Sequence, residues 1–207
     1  MRKHLAAVLL SGGAVLALGI GTVTATAATA KTWTIKPGGA AAGSAGKTTL
    51  KDTKTGTVLS CASSTEAITL KKGSAQANPI GKVTSATFSS CTGPAGLKFT
   101  ATTTASPSHP WNLTASTYSS GVTHAKISGV MASLSGNGCS AIAAGTSATT
   151  AGTVNATYSN KTHILKISGG NLHVWDVSGC LGLVNNGDPT SFVGSYKISP
   201  AQTITSP

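Results

Sequence analysis

The 207-residue sequence predicts an all-β protein, a disulfide-stapled sandwich or barrel built from two related halves. Three observations predict it. β-Branched and apolar residues alternate with Ser, Thr and Lys in many short runs, and beyond the N-terminal leader no stretch of a dozen residues carries helical periodicity. Four cysteines, Cys61, Cys91, Cys139 and Cys180, stand in a chain that opens with an export signal, which implies two bridges. A spacing also repeats: Trp33 to Cys61 and Trp111 to Cys139 are each 28 positions. In both cases a strand-like run then ends in a second cysteine, Ala86-Thr-Phe-Ser-Ser-Cys91-Thr-Gly and Trp175-Asp-Val-Ser-Gly-Cys180-Leu-Gly. Self-similarity of this kind points to an internal duplication. It selects one bridge per half, Cys61 with Cys91 and Cys139 with Cys180, each closing a loop worth roughly 3 to 4 kcal/mol on the chain-entropy model.

The leader is residues 1–30. Arg2, Lys3 and His4 precede an apolar run from Leu5 to Ile20 and then small residues, with cleavage expected after Ala27 or Ala30. Its removal leaves thirteen lysines, no arginine and four acidic residues, a net charge of +9. The mature unit, 31–207, divides into a half at 31–110 and a half at 111–207. Lys31 to Lys36 alternates and stops at Pro37, an opening strand. Gly38 to Gly46 contains Gly, Ala and Ser alone and reads as a loop. Strands follow at Thr48 to Thr53, Thr57 to Cys61 and Ala67 to Lys72, then a hairpin of Gly81 to Cys91 and Gly96 to Ala105. Ser106 to Pro110, with two prolines, is the hinge.

In the second half Trp111 to Tyr118 and Val122 to Leu134 are strands, and Ser140 to Ala144 is a short one. Gly152 to Ser159 and Thr162 to Ser168 form a hairpin with Val154, Ala156, Tyr158, Leu165 and Ile167 on inner faces. Leu172 to Val177 leads to Cys180, and Leu181 to Pro189 is a Gly/Asn loop. Thr190 to Ser199 places Phe192, Tyr196 and Ile198 on one parity. The end, Thr203-Ile-Thr, echoes Thr34-Ile-Lys near the start, so the first and last strands are expected side by side.

From Asp176 to Pro207, through Asp-Val-Ser-Gly-Cys-Leu-Gly-Leu-Val-Asn-Asn-Gly-Asp-Pro and the closing Ser-Pro-Ala-Gln-Thr-Ile-Thr-Ser-Pro, the chain resembles uncharacterised secreted proteins of actinobacteria. The likeness extends more weakly back to Trp33. It implies export, and it carries over no functional residue.

The chemistry in the sequence is sparse. A serine hydrolase needs a base and an orienting carboxylate, and the nearest grouping is His173, Asp176 and Ser178, with no Gly-x-Ser-x-Gly elbow. Of the four acids, Asp52 and Glu66 read as solvated strand edges and Asp188 as a turn residue, while Asp176 either faces inward or marks a bulge. The cysteines are committed to bridges and no histidine pair has ligand spacing, so no metal and no cofactor is expected. Trp33, Trp111 and Trp175 are candidate ligand or surface contacts, although the matched placement of the first two favours core packing. The basic balance suits an anionic cell-wall polymer; scattered lysines without arginine argue against nucleic acid. The expectation is a secreted, non-catalytic binding or structural protein with no membrane attachment after cleavage. The alternatives are a small-ligand carrier or inhibitor, and a small secreted hydrolase.

Overall fold

The structure is a computed structural model that describes residues 31–206, so the expected signal peptide lies outside the described residues. In chain order the strands are β1 (Trp33–Lys36), β2 (Gly39–Ala45), β3 (Thr48–Asp52), β4 (Val58–Leu70), β5 (Gly73–Gln76), β6 (Gly81–Thr92), β7 (Lys98–Thr103) and β8 (Trp111–Ser119). They continue with β9 (Val122–Val130), β10 (Ala132–Gly136), β11 (Cys139–Ala144), β12 (Gly152–Ser159), β13 (Ile164–Gly170), β14 (Leu172–Ser178), β15 (Pro189–Ser199) and β16 (Thr203–Thr205).

Many of these are halves of longer strands. β2 and β3 run in succession along β4, with Ala41 opposite Ile68 and Leu50 opposite Leu59. β7 and β8 follow β6 in the same way, and β13 and β14 follow β15. β9 with β10 lies against β12 with β11. Eight long antiparallel strands therefore succeed one another around a wall, and the last returns to the first. Ile198 of β15 pairs with Gly43 of β2, and Thr190 pairs with Asp52 of β3. Of the two architectures expected, the structure is the barrel, of closed up-and-down type. Both halves of the chain build one wall, joined where β8 pairs with β6 and β10 with β7.

Alternation sorts the side chains. Ile68, Val83, Leu113, Ile127, Val154, Ile167 and Ile198 are buried inside, each stabilising the fold by about 1.5 to 3 kcal/mol. Thr65, Thr87, Lys82, Lys126 and Lys166 face out and are exposed. A lipid-facing barrel has the reverse outer surface, and among the described residues no helix is long and apolar enough to cross a membrane.

The run expected as a loop, Gly38 to Gly46, contains strand β2. Its small side chains are the reason it fits. A Cβ at Gly43 would meet Ile198 Cδ1 at 3.3 Å and Tyr196 Cβ at 3.5 Å, so the wall closes tightly against the bulky inner side of β15.

The two ends differ. At the upper end β1 pairs with β16 (Ile35 opposite Ile204) and with β5, forming a three-stranded cap, as the echo of the termini leads one to expect. Trp33 and Ile35 are completely buried beneath it. At the lower end Cys61 joins Cys91 between β4 and β6, and Cys139 joins Cys180 between β11 and the chain just past β14. This is the pairing that the spacing implies.

Candidate functional site

Eight strands enclose an interior just wide enough for side chains or one small ligand. Here three apolar voids lie along the axis, of about 30 Å³ beneath the cap, about 60 Å³ at the centre and about 60 Å³ at the lower end. Leu50, Leu59 and Leu134 line both the central and the lower void, so their side chains are the partition between them. The upper void shares no lining residue with the central one. The lower void reaches the rim at Thr57, Val58 and Pro94.

The central void is walled by Trp111, Ile127, Phe88 and Phe192, the two phenylalanines meeting edge to face at 5.7 Å. Four polar residues, Thr48, Thr49, Glu66 and Thr103, are among its lining, and two of them carry buried atoms without a partner. Glu66 of β4 is 6 % exposed, and its Oε2 has no hydrogen-bond partner among the described residues. Thr48 of β3 is 1 % exposed and its Oγ1 is likewise unpartnered. Burial raises the Glu66 carboxyl from its usual 4.5 to about 7, with the neighbouring Tyr196 hydroxyl opposing the shift. Tyr196 is itself buried and pushed up, first by desolvation and then by the Glu66 charge. Ser64 donates to the Tyr196 oxygen at 2.9 Å, which orients the phenol toward the carboxyl.

At the lower rim, Asp52 Oδ1 accepts the amide hydrogens of Lys54 and Thr55 at 2.8 and 2.9 Å and so shapes the β3–β4 turn. Asp188 accepts from the Asn185 side chain at 3.0 Å and pairs with Lys54 Nζ at 3.1 Å, binding that turn to the loop before β15. The Asn185 amide and Lys54 hold the Asp188 carboxyl below its ordinary range. Between these ties the rim exposes Val58, Leu97 and, at 97 %, Leu181.

The sequence-derived candidates land in different places. Trp111 lines the central void, with Nε1 donating to Thr104 Oγ1 at 3.4 Å. Trp33 lies under the cap with the Lys31 ammonium 5.4 Å above its ring. Trp175 is half-buried on the outer wall, its Nε1 donating to the Gly145 carbonyl at 3.0 Å and its ring lying against Gly187. His173 Nδ1 lies 3.1 Å from the Asn171 carbonyl, whereas Asp176 is exposed at φ 49° beside a register shift between β11 and β14. The structure forms no hydrogen bond among His173, Asp176 and Ser178. Lys82, Lys126 and Lys166 stand exposed on separate strands.

Asp52 and Glu66 require correction. Read as solvated edges, both are buried, at 2 % and 6 % exposure. The missed signal is parity. Glu66 alternates in phase with Ile68 and Leu70, so whatever face those apolar residues took had to include the carboxylate.

No curated protein and no solved structure matches the chain. Over residues 2–206, however, it matches the family described as alkane oxidation protein activator PraA/PraB-like. With nearly its whole length so matched, this closed barrel belongs to the PraA/PraB-like family.

Proposed function

We propose that the protein is an extracellular, non-catalytic carrier of apolar chains of the alkane class. The observation that carries this reading is the succession of apolar voids from the lower rim to the centre of the barrel, closed above by the β1/β5/β16 cap. An alkane offers nothing but hydrocarbon, and each buried methylene contributes about 0.8 kcal/mol. A binding site for it must therefore be an apolar interior. The family description supplies the ligand class, and an activator of alkane oxidation can act by dispersing and presenting a water-insoluble substrate. The two disulfides accord with an oxidising compartment.

Each void is smaller than the cavity of about 150 Å³ that admits benzene in an engineered protein. A longer chain enters by turning the Leu50, Leu59 and Leu134 side chains aside, which joins the two lower voids. The test is displacement of Nile red from the purified mature protein by n-dodecane. Saturable displacement is expected, with a negative heat-capacity change on binding. Leu134→Phe, which enlarges the partition, is expected to weaken it while thermal unfolding shows the barrel intact. Absence of any saturable displacement in the unaltered protein would reject the carrier.

A further inference from the structure

We propose that the upper end of the barrel docks on a flexible anionic polymer, a chain bearing repeated carboxylate or phosphate groups, and that the lower rim faces away from it. The docking does not depend on the carrier reading.

The thirteen lysines that follow the leader are unequally shared between the two ends. β2, β8, β9, β12 and β13 are the upper members of the paired segments, and β3, β7, β10, β11 and β14 the lower. Lys36 of β1 and Lys71 and Lys72 between β4 and β5 stand at the cap, with Lys31 just before β1 and Lys161 in the β12–β13 turn. Lys82 of β6, Lys126 of β9, Lys166 of β13 and Lys197 of β15 ring the wall beneath it, all exposed. The lower half has four lysines, Lys47, Lys51, Lys54 and Lys98, against Asp52, Asp176 and Asp188, a net of +1. The upper half has nine, and its one carboxylate side chain among the described residues, Glu66, is buried inside the wall.

The wall lysines form a belt. Lys126 stands opposite Asn155 of β12, and Thr157, next along the outer face of that strand, stands opposite Lys166. Lys166 is in turn opposite Ser195 of β15, two residues from Lys197. Diagonal neighbours of this kind are about 7 to 8 Å apart, and such lysines two strands apart roughly 12 Å. Those spacings are comparable with the screening length of about 10 Å in 0.1 M salt, so their fields overlap. Lys71 Nζ donates to the Ala77 carbonyl at 2.7 Å and Lys197 Nζ to the Thr162 carbonyl at 2.8 Å, ties that orient the ammonium groups and leave their charge unneutralised. In the lower half Lys54 is instead paired with Asp188 at 3.1 Å.

A polymer fits this surface better than other anionic partners do. The lysines cover a cap and four wall strands rather than one plane, so a flat bilayer would reach only some of them, whereas a flexible chain can follow them round. The large exposed apolar side chains, Val58, Leu97, Leu181 and Val193, lie at the lower rim or, for Val193, opposite Thr49 of β3, so no apolar wedge accompanies the positive end. Single-stranded nucleic acid is held by stacking its bases on exposed rings. Here Trp33, Tyr158 and Tyr196 are buried and Tyr118 packs against the core. Lysine is a point charge that imposes no bidentate geometry, which suits repeated carboxylates and phosphates alike.

The experiment measures, by fluorescence anisotropy, binding of the mature protein to labelled polygalacturonate and to labelled polyphosphate in about 50 mM and about 200 mM NaCl. Two variants of equal net charge locate the site: Lys82→Gln/Lys126→Gln/Lys166→Gln on the upper wall and Lys47→Gln/Lys51→Gln/Lys98→Gln below. The unaltered protein is expected to bind at the lower salt and to weaken steeply at the higher, as counterion release requires. The upper variant should bind on the order of tenfold more weakly and the lower variant less than about threefold, with both unfolding thermally close to the unaltered protein. Binding of either polymer supports the proposal, and the tighter of the two identifies the anionic group. Equal weakening by both variants would reduce the effect to net charge and overturn the docking face. Absence of binding at low salt, or tighter binding to phosphatidylglycerol vesicles or single-stranded DNA than to both polymers, would overturn the polymer. Displacement of Nile red by dodecane should be the same in the upper variant as in the unaltered protein, and its loss in that variant alone would overturn the separation of the docking end from the lower rim.

Discussion

The upper end of the barrel is closed by hydrogen bonds and the lower end by covalent staples and turns. Above, side-chain amides imitate strand edges. Asn160 donates to the Ile204 carbonyl and accepts its N–H, both at 2.9 Å, and Asn78 does the same for Ala115 at 2.7 and 2.9 Å. Gln202 accepts the Gly38 N–H at 2.9 Å, while the Tyr158 hydroxyl donates to the Gln202 carbonyl at 2.8 Å. Below, two disulfides hold strand pairs, and Val58, Leu97 and Leu181 stay exposed, while each end keeps buried polar atoms without a partner, Trp33 Nε1 and Thr123 Oγ1 above and Asp52 Oδ2 and Thr190 Oγ1 below. The paired amides tie the cap to the wall. On the carrier reading the lower rim, where the exposed Val58 borders the void, is the side of entry.

The largest test of that contrast is Trp33→Ala, which removes a fully buried indole from the cap. It is expected to cost about 3 to 5 kcal/mol in urea unfolding. A loss below about 1 kcal/mol would show that the cap does not depend on this packing. At the other end, replacing Cys61 and Cys91 together by alanine should cost roughly 3 to 4 kcal/mol, measured the same way. Because the two sites lie at opposite ends, their effects should add to within about 0.5 kcal/mol.

Between the ends, Glu66 gives a pH dependence. Below its unfolded value of 4.5 the carboxyl is protonated in both states and carries no penalty. From there to about 7 the unfolded chain releases a proton that the barrel retains, so stability falls as pH rises. Above about 7 the deficit is constant, on the order of 3 kcal/mol. Glu66→Gln should flatten this slope in unfolding curves taken across that range; an unchanged slope would place its origin elsewhere.

Smaller effects follow. Asn160→Ala removes two hydrogen bonds to Ile204 and should cost about 2 kcal/mol, with faster amide exchange in β16. Leu181→Ser should alter stability by less than about 0.5 kcal/mol. Its expected effect is slower uptake of dodecane from dispersed droplets, and an unchanged rate would remove the rim from the entry path.

Much of the wall was legible from alternation. Val154, Ala156 and Tyr158, then Leu165 and Ile167, fall on inner faces as their parity requires, and the Thr-Ile echo of the termini becomes the β1–β16 pair. Two features were hidden for physical reasons. β2 has almost no side chains to alternate, so only its partners Tyr196 and Ile198 reveal why glycine and alanine belong in a strand. Closure depends on register between strands far apart in sequence, which no local pattern encodes. The site was legible in part. Trp111, a candidate contact whose matched placement favours core packing, is a core residue that also lines the void, whereas Glu66 reads as an edge residue only if its parity with Ile68 and Leu70 is overlooked.

The closed ring also dictates the order in which the molecule can be assembled. Neighbouring long strands around the wall are neighbours in sequence and can form as successive hairpins. The seam of β15 with β2 and β3 is different, because it joins residues more than a hundred positions apart, such as Ile198 with Gly43. Its loop-closure entropy must be met before any of its contacts reward it, which makes the seam the last and slowest pairing. Gly43 on one side of that seam leaves room for the bulky inner face of β15 as it arrives. A chain ending before Pro189 would hold the rest of the wall as an open sheet, with β2/β3 and β13/β14 as two bare edges available to other chains.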